Sequence, residues 1–172
     1  MRAFFLFAFF LLAAITRSQE NAEKSSLRFE IKNAGITVKG YFENWEYTLE
    51  FDPKDLAGSK LSGKADVVSI KTGISSRDKH LQTRQYFKTD TWPYIAMESR
   101  RIVHKGGNRY EGEFDVTIRD VTRQMSVPFT AERKDSGWKL SGSFSLNRLD
   151  HGVGEKSMIL GNEVKVMIDI LQ

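Results

Sequence analysis

Cysteine is missing from this 172-residue chain, prolines number only 3, and no Gly/Ser/Pro-rich linker or internal repeat interrupts it. Without cysteine there are no disulfides and no anchoring through a lipidated thiol, so stability must come from the core rather than from covalent staples. Without a linker there is no reason to divide the chain into several domains, and its length suits one. Nucleotide-binding loops are absent too. Gly106-Gly107 lies in a hairpin-type turn, and Gly152-Val153-Gly154 lacks a following Lys-Ser/Thr. The 3 histidines, His80, His104 and His151, occupy separate segments without ligand-like spacing, so no metal site is expected. No Lys/Arg cluster with interleaved aromatics forms a stripe, so nucleic acid is not an expected partner.

One long apolar run is present, from Ala3 to Ile15. It follows Arg2, is too short to span a bilayer comfortably, and ends at Thr16-Arg17-Ser18, where small residues suit a signal peptidase. This pattern predicts a secretory signal over residues 1–18, a single domain over 19–172, and a periplasmic or secreted protein. Removing Arg2 and Arg17 takes the basic count from 26 to 24 against 22 acids, about +2, so the high overall pI overstates any attraction to polyanions.

Period-two alternation dominates the remainder. Leu27, Phe29 and Ile31 alternate with Arg28, Glu30 and Lys32, and Trp45, Tyr47, Leu49 and Phe51 with Glu46, Thr48 and Glu50. The pattern returns over Ala65–Thr72, with Val68, Ile70 and Thr72 on one face, then over Tyr94–Val103, Tyr110–Ile118, Met125–Phe129, Trp138–Leu146 and Val164–Ile170. Asn33-Ala34-Gly35, Lys105-Gly106-Gly107-Asn108 and Asp135-Ser136-Gly137 supply turns. Strands so evenly spaced, without helices between them, predict an all-β antiparallel barrel or sandwich. Several runs reach ten residues, on the order of 33 Å at about 3.3 Å per residue. A tall, narrow eight-stranded barrel would be filled by side chains or would hold one slender ligand.

The segment Thr72–Ser99 interrupts the alternation, with a polar helical turn, Ser75-Ser76-Arg77-Asp78-Lys79-His80-Leu81, then Tyr86-Phe87 and Trp92-Pro93. Together with Gly112, Asp115-Val116-Thr117-Ile118, Thr122 and Arg148-Leu149-Asp150-His151-Gly152-Val153, it resembles the YceI family of secreted, lipocalin-like isoprenoid-binding proteins. The likeness covers most of the mature chain. Departures are a shorter segment before Phe29, Asp120 in place of a turn glycine, and Leu149 and His151 flanking Asp150. The resemblance implies an eight-stranded lipocalin-like barrel with a short helical insertion around residues 76–90. It also implies a binding protein rather than an enzyme, with an isoprenoid lipid or quinone as partner, no cofactor, and no stable membrane insertion. Assembly as a homodimer is left open.

Candidate wall residues for an apolar cavity are Phe29, Val38, Trp45, Leu49, Phe51, Val68, Ile70, Leu81, Phe87, Ile95, Met97, Phe114, Val116, Ile118, Phe129, Phe144, Leu146, Val166 and Ile168. Alternation alone serves equally for ordinary core packing. Arg77, Lys79 and Arg84, at the insertion, are candidates to meet a head group. Two other readings compete. A small outer-membrane barrel would need an outward apolar band with aromatic girdles. An enzyme would have to use Asp78 and His80, which are two apart and diverge on a helix, while Ser75 and Ser76 lack a nucleophile-elbow context.

Overall fold

Alternation becomes sheet throughout a computed structural model that describes residues 24–135 and 137–172; the expected signal segment, 1–18, lies outside the described residues. The strands are β1 (Ser26–Asn33), β2 (Ile36–Phe42), β3 (Trp45–Glu50), β4 (Lys60–Asp66), β5 (Ile70–Lys71), β6 (Tyr94–Gly106), β7 (Arg109–Ile118), β8 (Val121–Lys134), β9 (Gly137–Asn147) and β10 (Leu160–Leu171), with one helix, α1 (Ser75–Leu81). They form one antiparallel sheet in the order β3-β4-β6-β7-β8-β9-β10-β1-β2-β5. The antiparallel all-β architecture is the expected one, but among the described residues the strands number ten rather than eight.

Part of the difference arises at Ala65–Thr72, which is not one strand. The Asp66 carboxylate accepts a hydrogen bond from the Val68 amide at 3.0 Å, and Ser69 Oγ donates to the Asp66 carbonyl at 2.7 Å. These local bonds outcompete the ladder and fold Val67–Ser69 into a 3₁₀ turn. The turn resets the alternation. Val67 and Ile70 are buried, whereas Val68 stands 50% exposed, so Val68 does not share a face with Ile70.

Among the described residues the ladder does not close upon itself, since β3 and β5 end the order. Side chains and isolated amides tie the β3 margin to the far side of the sheet instead. Tyr47 Oη donates to the Leu171 carbonyl at 2.6 Å and lies 2.7 Å from Ser25 Oγ, tying β3 to the end of β10. Near the start of β3, the Asp66 amide donates to the Asn44 carbonyl and the Glu43 amide to the Ser69 carbonyl. The product is a curled, barrel-like sheet.

Its two faces differ as period two requires. On β7, Tyr110, Phe114, Val116 and Ile118 point inward and are buried. Their neighbours Glu111, Glu113 and Asp115 face out and pair with Lys105, Arg101 and Arg100 at 3.0, 2.7 and 3.0 Å. Arg28–Asp169 and Lys64–Glu46 continue this polar outer surface on other strands. At one end, Phe51 meets Tyr110, Trp138 and Phe129 edge-on, with ring centroids 5.1, 5.5 and 6.2 Å apart. Tyr110 and Phe129 stack at 5.5 Å, and the four rings seal that end with apolar mass.

Candidate functional site

Above this aromatic floor the sheet encloses a cavity of about 590 Å³, within the range of about 300–1,000 Å³ typical of small-molecule sites. Each wall is a period-two face: Phe29 and Ile31 from β1, Val38 from β2, Trp45 and Tyr47 from β3, Ile95 and Met97 from β6, and Phe114, Val116 and Ile118 from β7. Phe144 and Leu146 of β9 and Val164, Val166, Ile168 and Ile170 of β10 complete the circuit. Two glycines shape the interior. Gly40 leaves the space in which the Phe29 ring lies, and Gly112 does the same for Phe114.

The cavity reaches solvent where its lining residues are themselves exposed. These include His80 and Gln85 on the helical insertion, and Glu155, Lys156, Ser157 and Ile159 on the segment before β10. The two segments are fastened together, with the Gly154 amide donating to the Gln85 carbonyl at 3.0 Å. Arg119 donates to the carbonyls of Tyr86 and Gly152, and its guanidinium sits 4.7 Å above the Trp92 ring. The insertion is thereby held as a rim piece over the barrel end.

Charged groups at this end have clear structural partners. Arg148 is 3% exposed yet borders the cavity. Its guanidinium donates to the carbonyls of Gly161, Val153 and Glu155 and to Asn162 Oδ1, at 2.9, 2.7, 2.7 and 3.2 Å. Every acceptor is neutral. Burial draws the Arg148 pKa below its ordinary value, with Tyr86 opposing the shift. Arg77 also borders the cavity, and its Nε donates to Thr72 Oγ1 at 2.7 Å. Asp78 accepts from the Thr72 amide at 3.0 Å and from the Thr72 hydroxyl. His80 packs against Tyr86 with ring centroids 5.1 Å apart, so Asp78 and His80 serve separate contacts. His151 is 2% exposed and its Nδ1 donates to the Val121 carbonyl at 3.2 Å; burial lowers its pKa. Among the described residues, no three His, Asp or Glu side chains gather in a way that could hold a metal ion.

Of the residues singled out from sequence, Phe29, Val38, Trp45, Ile70, Leu81, Phe87, Ile95, Met97, Phe114, Val116, Ile118, Phe129, Phe144, Leu146, Val166 and Ile168 all border this one cavity. Three lie elsewhere. Phe51 belongs to the floor, Leu49 packs beside it against the core, and Val68 is turned outward by the 3₁₀ turn. At the rim, Arg77 borders the cavity, whereas Lys79 and Arg84 are exposed and do not. Arg148 was not singled out. It belongs to the Arg148–Val153 motif that carries the family resemblance, but a long cation reads as surface until its loop is seen to wrap it. Leu27, Ile31, Val164 and Ile170 were recoverable from the alternation that located their neighbours.

A curled antiparallel sheet around a large apolar cavity, sealed by aromatic rings at one end and rimmed by a short helical insertion at the other, defines a lipocalin-like β-barrel class. Within that class the chain belongs to the YceI family, whose YceI-like domain model matches residues 19–171. A UPF0312 protein of Vibrio parahaemolyticus is 25% identical over 104 residues, 60% of this chain and 55% of that protein, so the match spans little more than half of the relative's length. The crystal structure of BcnA from Burkholderia cenocepacia superposes with a TM-score of 0.81 at 22% identity, covering 84% of this chain and 94% of that one. A polyisoprenoid-binding domain from Saccharophagus degradans gives a TM-score of 0.66 at 12% identity, over 84% and 91% of the two chains.

Proposed function

We propose that this protein binds an isoprenoid lipid in its barrel, as a carrier or store for a prenyl quinone or polyprenyl phosphate, after export to the periplasm or the medium. The observation that carries this reading is the 590 Å³ cavity with a predominantly apolar wall whose charged and polar side chains include Arg77, His80, Glu155 and Lys156 at the helical insertion and the segment before β10. At about 30 Å³ per molecule it has room for on the order of 20 waters, few of which its apolar faces could hydrogen-bond. A branched hydrocarbon tail suits it better. At about 0.8 kcal/mol per buried methylene, each isoprene unit is worth roughly 3 to 4 kcal/mol before the cost of ordering the tail. Family membership and the polyisoprenoid-binding relative support lipid binding at the level of the family, and a binding protein rather than an enzyme.

The outer surface argues against the membrane-barrel alternative. A transmembrane strand presents alternate apolar residues to lipid, whereas here the outward positions carry Glu111, Glu113, Asp115 and their basic partners. Native mass spectrometry of protein purified without detergent, with organic extraction, tests the proposal. The expected result is a stoichiometric prenyl-chain species, and an empty protein that also refuses added prenyl lipid refutes it.

A further inference from the structure

The barrel rim carries an apolar tip that projects beyond the cavity mouth. Ile36 is 69% exposed, Ile159 66% and Met158 104%. They come from two segments, the start of β2 and the loop before β10, that the fold locks side by side. The Ala34 amide donates to the Ile159 carbonyl at 2.7 Å, and Asn33 pairs with both Leu160 and Ile36 in the ladders. The exposure of Met158 is itself built in, because Ser157 Oγ accepts from the amides of Ile159 and Leu160, at 3.2 Å each, and turns the chain so that Met158 stands at the apex. Lys32 and Lys156 flank the tip, and among the described residues neither forms an ion pair.

The tip is continuous with the cavity, since Asn33, Lys156, Ser157, Ile159 and Leu160 all border it. Three projecting side chains on a convex point fall far short of the roughly 800 Å² per partner that a stable dimer buries. A bilayer surface needs no more than a shallow apolar wedge with a basic flank. We propose that Ile36, Met158 and Ile159 insert into the surface of a lipid bilayer, so that the ligand passes between membrane and cavity without crossing water. This rests on the lipid-binding reading above and adds the route by which the lipid enters.

The test uses the whole mature protein, a fluorescent geranylgeranyl probe, and vesicles of phosphatidylcholine with or without phosphatidylglycerol. Protein should float with the vesicles, more so with phosphatidylglycerol. Probe transfer to acceptor vesicles should accelerate in proportion to their concentration, as a collisional route requires. The double variant Ile36→Ser, Met158→Ser, at two positions that do not border the cavity, should load probe normally and melt as the wild type does, yet transfer it at least tenfold more slowly and lose flotation. A transfer rate indifferent to vesicle concentration, or unaltered in the double variant, overturns the proposal. So does a wild-type dimer that the double variant dissociates, which would assign the tip to a second copy. Failure of the wild type to load probe would refute the lipid-binding reading, and flotation of the unloaded protein would still decide the tip.

Discussion

Gly63→Leu separates binding from folding, because it fills the cavity without disturbing the wall. Gly63 lies on β4 opposite Tyr47 of β3 and Met97 of β6, on the face that borders the cavity. A Cβ added there meets nothing nearer than the Glu46 carbonyl oxygen at 3.8 Å, an ordinary van der Waals distance. Replacing a strand-interior glycine recovers about 0.5 to 1 kcal/mol of backbone entropy, and burying a leucine side chain adds roughly 1.5 to 3. The ligand-free variant should therefore be more stable by about 2 to 4 kcal/mol. For a chain of this size that raises Tm by at least about 4 °C. The four side-chain carbons displace about four carbons of tail, at about 0.8 kcal/mol each roughly 3 kcal/mol, so prenyl affinity should fall on the order of 100-fold. Gly112→Leu is the contrasting control, since its Cβ would collide with Phe114 and destabilise the fold. Thermal melts of delipidated protein and titration with a fluorescent prenyl probe read both quantities. A stabilised Gly63→Leu variant that binds as tightly as wild type would show that the ligand does not occupy this cavity.

Phe51→Ala should cost about 3 to 5 kcal/mol in urea unfolding, because four-ring contact at the floor is lost; a cost below about 1 kcal/mol would mean the rings are not the seal. Val68→Asp should lie within about 0.5 kcal/mol of wild type, whereas Ile70→Asp, which strands a carboxylate at a site 2% exposed, should cost about 3 kcal/mol or more; similar values for the two would show the 3₁₀ turn to be misplaced. His151 binds its proton more weakly folded than unfolded, so its contribution to stability is complete above its ordinary pKa of 6.5 and is lost as pH falls below that value, when the unfolded chain takes up the proton first. His151→Gln should flatten this part of the stability profile, and an unchanged pH slope would count against a buried neutral imidazole. At Asp169, burial raises the carboxyl pKa but hydrogen bonds from Ser141, Arg28 and Ser26 more than offset it, so its contribution should persist down to about pH 3.8 and vanish below it, as Asp169→Asn melts would reveal.

Alternation is a local property with a period of two, and so the sequence alone determined which residues face in and which face out along most strands. Phe114 and Val116 against Asp115, or Val166 and Ile168 against Lys165, needed no tertiary information. The helical insertion was equally legible, because Ser75–Leu81 breaks the period and Pro93 restarts it. Only the tertiary structure decided the rest. Whether Phe51 is wall or floor depends on where tilted strands converge, a sum of many long-range pairings that no single segment encodes. The outward turn of Val68 came from one capping carboxylate, Asp66, overriding a strand-like pattern. The burial of Arg148 required the chain that follows it, Val153 to Asn162, to fold back and bring four neutral acceptors to it. The apolar tip, too, exists only because one amide of the first hairpin turn meets one carbonyl before the last strand. Local chemistry sets the faces of a sheet, but the closure of that sheet into a vessel, and the position of its opening, belong to contacts between residues far apart in the chain.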